Sequence, residues 1–280
     1  MKIKLMIVVF TSLLILTGNA WSAPVRVERV EAELVSETKS IKPGAPFWVA
    51  LRLRMDDGWH TYWRNPGDSG LETQVTWNLP KGFNASELEW PYPERLEVAG
   101  LITFGYEGEV FLLSKIDLPG TLQIGSDVTL SANTIWLSCA DVCIPGQAQL
   151  DLKLPVSDDL PKLDERWAHD FAKARANLPQ TSNSWNIKAQ RKGKKIILSV
   201  TAGTSNKTLP QIQFFPYEEG LFNLLQNPKI SKIKNGFKIE LPILKSYSKP
   251  ISDINGILFS KNGWGGTEGK AVEVRSKIVK

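Results

Sequence analysis

Apolar and polar residues alternate with period two along most of this chain, and that period commits it to β-structure. Val49, Leu51, Leu53 and Met55 interleave with Ala50, Arg52 and Arg54. Val25, Val27, Val30, Ala32 and Leu34 interleave with Arg26, Glu28, Glu31, Glu33 and Ser36, with one slip of phase. Neighbouring side chains of a strand point to opposite faces, so this alternation marks strands with one face in a core. Strands are expected over 47–55, 110–116, 128–137 and 148–154. Turn residues part them at 42–46, 56–58, 119–120 and in Asn65-Pro-Gly-Asp68. Short strands with frequent turn signals predict an all-β sandwich or barrel.

One segment departs from this period. Leu163, Trp167, Phe171, Ala174 and Leu178 recur at helical spacing, with Asp158, Asp159 and Pro161 ahead of them and Pro179 behind. A polar linker, Gln180 to Ser184, follows. Strands then return over 185–189, 195–201, 211–215, 236–241, 256–260 and 271–278. The length suits two domains. The expected organisation is a leader over 1–22, a β domain over 23–160, a helix and linker over 161–183, and a second β-sandwich over 184–280.

The leader reading rests on Lys2 and Lys4, the apolar run Leu5 to Leu16, and small residues at Ala20 and Ser22. A charged start, a short apolar run and a small-residue exit make a secretory signal, cleaved here after Ser22. The run is too short to span a bilayer comfortably. An exported chain meets an oxidising compartment, where disulfides persist.

Charge divides at the linker. Residues 23–180 hold 15 Lys and Arg against 23 Asp and Glu, and residues 181–280 hold 17 against 6. A basic half raises nucleic acid as a partner, but the lysines are scattered through strands and no arginine–aromatic pattern accompanies them. The plainer expectation is a solvated basic face, one that makes weak contact with the anionic headgroups of a membrane surface or meets the acidic half itself.

Cys139 and Cys143 are the only cysteines of the chain. A bridge between them closes a ring of five residues, which loop entropy makes worth about 2 kcal/mol. A chain of this length can bury a core without that staple, so redox exchange is the leading use of the pair. With strands on both sides of Ala140-Asp-Val142, a three-residue hairpin would set the two cysteines opposite one another, near 5 Å apart. Asp141 raises rather than lowers a neighbouring thiol pKa. The pair is therefore suited to being attacked by chosen partners. Two thiolates would also suit Cu(I), whereas zinc would want four ligands. No metal or other cofactor is expected.

Two further motifs stand out. Gly58-Trp-His-Thr-Tyr-Trp-Arg-Asn-Pro-Gly-Asp-Ser-Gly70 offers Trp59, His60, Tyr62, Trp63 and Arg64 as a flat interaction face, with Arg64 stacked on a ring or paired with Asp68. Phe104-Gly-Tyr-Glu-Gly-Glu109 reads as a glycine-flanked loop carrying Phe104 and Tyr106, which could gate a reactive sulfur; the plainer alternative is a hairpin turn with core aromatics.

Together, Trp136-Leu-Ser-Cys-Ala-Asp-Val-Cys-Ile-Pro145, the Gly58–Gly67 motif and Tyr106-Glu-Gly-Glu-Val110 resemble the periplasmic N-terminal domain of DsbD-type thiol:disulfide interchange proteins. The likeness is closest to the suppressor-of-copper-sensitivity branch and runs from Ala23 to about Leu154. The basic half resembles the additional β domain of that branch. The resemblance implies immunoglobulin-like folds, a periplasmic location and protein-disulfide reductase chemistry. It implies that Cys139 and Cys143 relay electrons between a membrane thiol transporter, or its thioredoxin-like domain, and periplasmic thioredoxin-fold oxidoreductases. It also implies a cap over the sulfurs with Phe104 at its tip. Ile102 and Thr103 stand where the family often has acidic residues, and the cysteine spacing is shorter than in its best-known members. Full-length members continue into membrane and thioredoxin-like domains; here either those parts are separate chains or the protein has another role. The rival readings are a non-redox binding protein with a structural bridge and a Cu(I)-binding protein.

Overall fold

The structure is a computed structural model that describes residues 20–202, 211–264 and 269–279. Most of the expected leader lies outside them. Trp21 and Ser22, at its end, pair with Lys153 and Leu152, and Ala20 is buried in the first core.

The first domain is a sandwich of two sheets. One sheet contains β1 (Trp21–Ser22), β5 (His60–Gly67), β6 (Gln74–Asn78), β8 (Glu94–Val98), β9 (Leu101–Glu107), β11 (Asp127–Cys139) and β12 (Cys143–Pro155). Its order is β1-β12-β11-β5-β9-β8, with β6 also paired to β11. The other runs β2-β3-β4-β10-β7, where β2 is Val25–Val27, β3 Val30–Ser36, β4 Phe47–Met55, β7 Asn84–Ala85 and β10 Glu109–Asp117. The predicted alternation places Leu34, Val49, Leu51, Leu53 and Leu112 inward against Trp63, Phe104, Trp136, Leu150 and Leu152. The expected all-β sandwich is the observed one.

The outer face of the second sheet is not left to water. Helix α1 (Ala168–Ala176) lays Phe171 and Ala174 on Val35, Ala50, Phe111 and Leu113. It starts later than the sequence pattern suggests. Residues 162–164 remain extended, bonded to Glu37 and Lys39, and Leu163 is exposed. Arg175 then clamps Glu37 with both guanidinium nitrogens. Beneath the helix, Arg52 reaches Glu31, Glu33 and Glu109 and lies over the Trp167 ring at 5.3 Å. Burying that guanidinium is tolerable because three carboxylates and a ring replace its water.

The second domain holds β13 (Trp185–Lys192), β14 (Lys195–Ala202), β15 (Ile212–Pro216), β16 (Lys229–Ile233), β17 (Gly236–Pro242), β18 (Asp253–Ser260) and β19 (Ala271–Val279). They follow the order β15-β18-β19-β13-β14-β17-β16. β19 meets β13 only at its last residues, Ile278 and Val279. The path therefore folds into two layers around Ile196, Leu198, Phe237, Ile239, Phe214, Leu258 and Val272.

The two domains share a core. Phe214 faces the second domain's interior, and its neighbour Phe215 faces the first. Phe215 packs on Phe104 and Trp63 with ring centroids 5.1 and 6.2 Å apart. Ile257 joins it, and Phe259 meets Tyr92 at 4.7 Å. The side chain of Asn65, wholly buried, donates to the carbonyls of Pro216 and Glu218.

Candidate functional site

Cys139 ends β11 and Cys143 begins β12, directly opposite one another at the tip of a hairpin. They form a disulfide with Cα atoms 4.1 Å apart. Ala140 donates to the Val142 carbonyl across the three-residue turn, as the spacing predicted. Both sulfurs are held, but not equally. Cys139 is 1 % exposed, on a strand with neighbours on both sides: β12 on one, and His60 of β5 on the other. Cys143 is exposed. At its position β12 is an outer edge, since β1 covers β12 only at Leu152 and Lys153. Val142, between the cysteines, is also exposed.

β5 brings Tyr62 to the Cys143 sulfur and pairs His60 with Cys139 through the backbone. Thr61 turns inward, its hydroxyl 3.7 Å from the Met55 sulfur. Alternation therefore sets His60 and Tyr62 on the outer face, ring edge to ring face at 5.1 Å. The Tyr62 hydroxyl lies 3.9 Å from Cys143 Sγ. Burial pushes its pKa up, so at neutral pH it is an O–H group. Burial pushes the His60 imidazole down, against a smaller upward pull from Glu107, so neutral imidazole is favoured. His60 Nε2 is buried without a protein partner.

The end of the same motif covers Tyr62. Gly70 has φ of +122° and lies so close to the ring that a methyl group there would run into it. The motif contains Gly70, but nothing in its sequence assigns that glycine a role.

The other predicted residues lie elsewhere. Phe104 is in mid-β9, 2 % exposed and packed at the domain seam, so it is not the tip of a loop over the sulfurs. Tyr106 is a core residue on the same strand, its hydroxyl donating to the Pro91 carbonyl at 2.6 Å. The turn in that motif is at Gly108 instead. Nor do the β5 aromatics make one flat face. Trp63 is fully buried against Phe104 and Phe215. Arg64 stacks on Tyr217 of the second domain at 4.4 Å, and not on Asp68, which accepts from the Ile102 amide. Trp59 is half-buried beneath Arg29. Among the described residues no three His, Cys, Asp or Glu side chains gather as a metal site.

Residues 30–155 match the family described as thiol:disulfide interchange protein DsbD, N-terminal. The crystal structure of the N-terminal periplasmic domain of ScsB from Proteus mirabilis superposes with a TM-score of 0.67 at 18% identity. That match spans 94% of this chain and 99% of that one, and is a likeness of fold. The periplasmic chaperone SfaE aligns over 89% of this chain and all of its own at 11% identity, with a TM-score of 0.25 that bears no argument. Comparison with curated proteins gives no match.

Proposed function

We propose that this chain, whose residues 30–155 form a DsbD-type N-terminal domain, is a periplasmic thiol:disulfide interchange module that passes electron pairs through Cys139 and Cys143. The observation that carries the reading is the inequality of the two sulfurs: one on an open strand edge, one walled in by neighbouring strands.

A partner thiolate needs an in-line approach to one sulfur, and only Cys143 offers it. Attack there forms a mixed disulfide and breaks the Cys139–Cys143 bond, and Cys139 leaves as thiolate and takes a proton. The partner's second thiolate then attacks its own sulfur in the mixed disulfide and frees Cys143. Two electrons and two protons have moved onto the pair, and the partner has become a disulfide. The same steps run backwards reduce a second partner. The Tyr62 O–H next to Cys143 can donate to the thiolate that departs in the freeing step. The partners this chemistry fits are a membrane-linked reductase on one side and thioredoxin-fold oxidoreductases on the other.

Single variants test the assignment. Cys139→Ser leaves Cys143 free and should react with an aromatic disulfide reagent at the rate of an exposed thiol. Cys143→Ser leaves Cys139, which should react at least about tenfold more slowly, the factor for opening costs above ~1.4 kcal/mol. Equal rates would remove the inequality. Equilibration of the wild type in glutathione buffers tests the relay itself: a potential below about −300 mV, the range of stable structural bridges, would exclude it.

A further inference from the structure

The second domain turns two different faces outward. Its β15-β18-β19 layer presents Phe215, Ile257 and Phe259 to the first domain. Its β13-β14-β17-β16 layer lies on the far side of the second core, facing away. On that layer Ile196, Leu198, Val200, Phe237, Ile239 and Leu241 point inward, so their neighbours point out. Strand register then fixes what shares the outer face. Lys188, Ser199, Lys238 and Ser231 form one cross-strand row. Gln190, Ile197, Glu240 and Lys229 form the next, and Lys192 with Lys195 the one after. All five lysines are exposed.

Glu240 is the single acid in those rows. Lys195 holds it at 2.8 Å, with Lys192 and Lys229 near enough to lower its pKa further. The face therefore keeps a net excess of about four positive charges, carried on one face of a four-stranded sheet. Lysines on edge strands commonly guard against pairing with another sheet. That does not account for Lys195 and Lys238, which stand on β14 and β17, strands paired on both sides. Lys192 and Lys195 also face one another directly, with Glu240 as the one carboxylate between two like charges.

We propose that this lysine face docks the protein on an anionic phospholipid surface. Single point charges spread over several strands of one sheet face, with no arginine fork among these rows, suit a layer of anionic headgroups. Docking by this face would hold the first domain on the opposite side of the second core, with Cys143 clear of the bilayer. The inference does not depend on the redox reading.

The test is co-sedimentation of the purified protein with vesicles of phosphatidylglycerol and phosphatidylcholine in equal parts, against pure phosphatidylcholine, at low and high salt. The protein should partition onto the anionic vesicles only, and lose them at high salt. Lys188→Glu with Lys238→Glu should weaken partitioning by about thirtyfold or more, two lysine contacts being worth about that. Lys188→Arg with Lys238→Arg should bind as the wild type, which separates charge from misfolding. Absence of binding to the anionic vesicles, equal binding to both lipids, or unchanged binding of the glutamate variant would each overturn the proposal. Retention on an acidic protein column without vesicle binding would also overturn it, and would point to a protein partner.

Discussion

The two halves of β5 do opposite work. Its first half, His60 to Tyr62, lies against the cysteine hairpin. Its second half, Trp63 to Gly67, is locked into the domain seam by Phe215, Tyr217 and the carbonyls that Asn65 holds. Between them the pairing with β9 slips: Tyr62 faces Gly105, but Gly67 faces Thr103. A slip of this kind re-aims side chains and breaks the mechanical continuity of a strand. One strand thus serves a reactive edge and a static joint without forcing either to share the other's rigidity.

The sharpest way to break this division is Trp63→Ala. Trp63 is fully buried among Phe104, Phe215 and Tyr217, so truncation should cost about 3–5 kcal/mol in denaturant unfolding. If the halves are independent, maleimide labelling of reduced Cys143 in the folded variant should stay within about threefold of wild type, an effect below ~0.7 kcal/mol. A tenfold change would join them.

Gly70→Ala attacks the other half. An alanine at φ of +122° is strained, and its methyl group must displace the Tyr62 ring. The loss of stability should lie toward the upper end of roughly 1–3 kcal/mol. Here the pH at which Cys143 labels should shift upward, because the hydroxyl beside the sulfur has moved and no longer donates to its thiolate. An unchanged pH profile would mean that Tyr62 does not act on Cys143.

Replacing both cysteines with alanine should cost only about 2 kcal/mol, the entropy of a five-residue ring, and leave the seam intact. Unfolding at ambient temperature would make the bridge structural after all.

The smallest effect is one of pH. His60 is held below its unfolded pKa of about 6.5 by burial. The unfolded chain therefore takes up its proton first, and stability falls as pH drops from that value toward the lower folded one. His60→Gln should flatten the stability profile in that window. The groups that face His60 are Glu107 on β9, Tyr62 on its own strand and the Cys139 backbone on β11. A slope that survives the substitution would come from another group.

How much of this was legible beforehand differs between the same two regions. The sandwich and the cysteine hairpin follow from local signals, namely alternation, turn residues and a spacing of four, and local signals are what a sequence displays. The seam does not. Asn65-Pro-Gly67 has the composition of a turn, yet it lies in a strand. The Asn65 side chain accepts from the Gly67 amide and donates to a carbonyl 151 positions away, and Pro66 sits in the slipped stretch, where a missing N–H is tolerated. Phe104 misleads for a related reason. A glycine beside an aromatic suggests a mobile loop, but Gly105 is there because a side chain would collide with the Thr61 carbonyl. It is a glycine of close approach, not of freedom. Gly70 was legible only as the end of the aromatic motif, since nothing local says which ring a loop will cover.

The shared core also bears on how such a chain can be cut or recombined. Phe215 and Ile257 belong to the first domain's interior as much as Trp63 and Phe104 do. A gene fragment ending in the polar linker would therefore encode a sandwich with an oily wound along one side, inclined to clump when expressed. A relative that lives without the second domain must have rewritten the positions of Trp63, Phe104 and Asn65 in polar or self-sufficient terms. Those three positions, read across a set of homologous genes, would tell single-domain from two-domain lineages before any cysteine was compared.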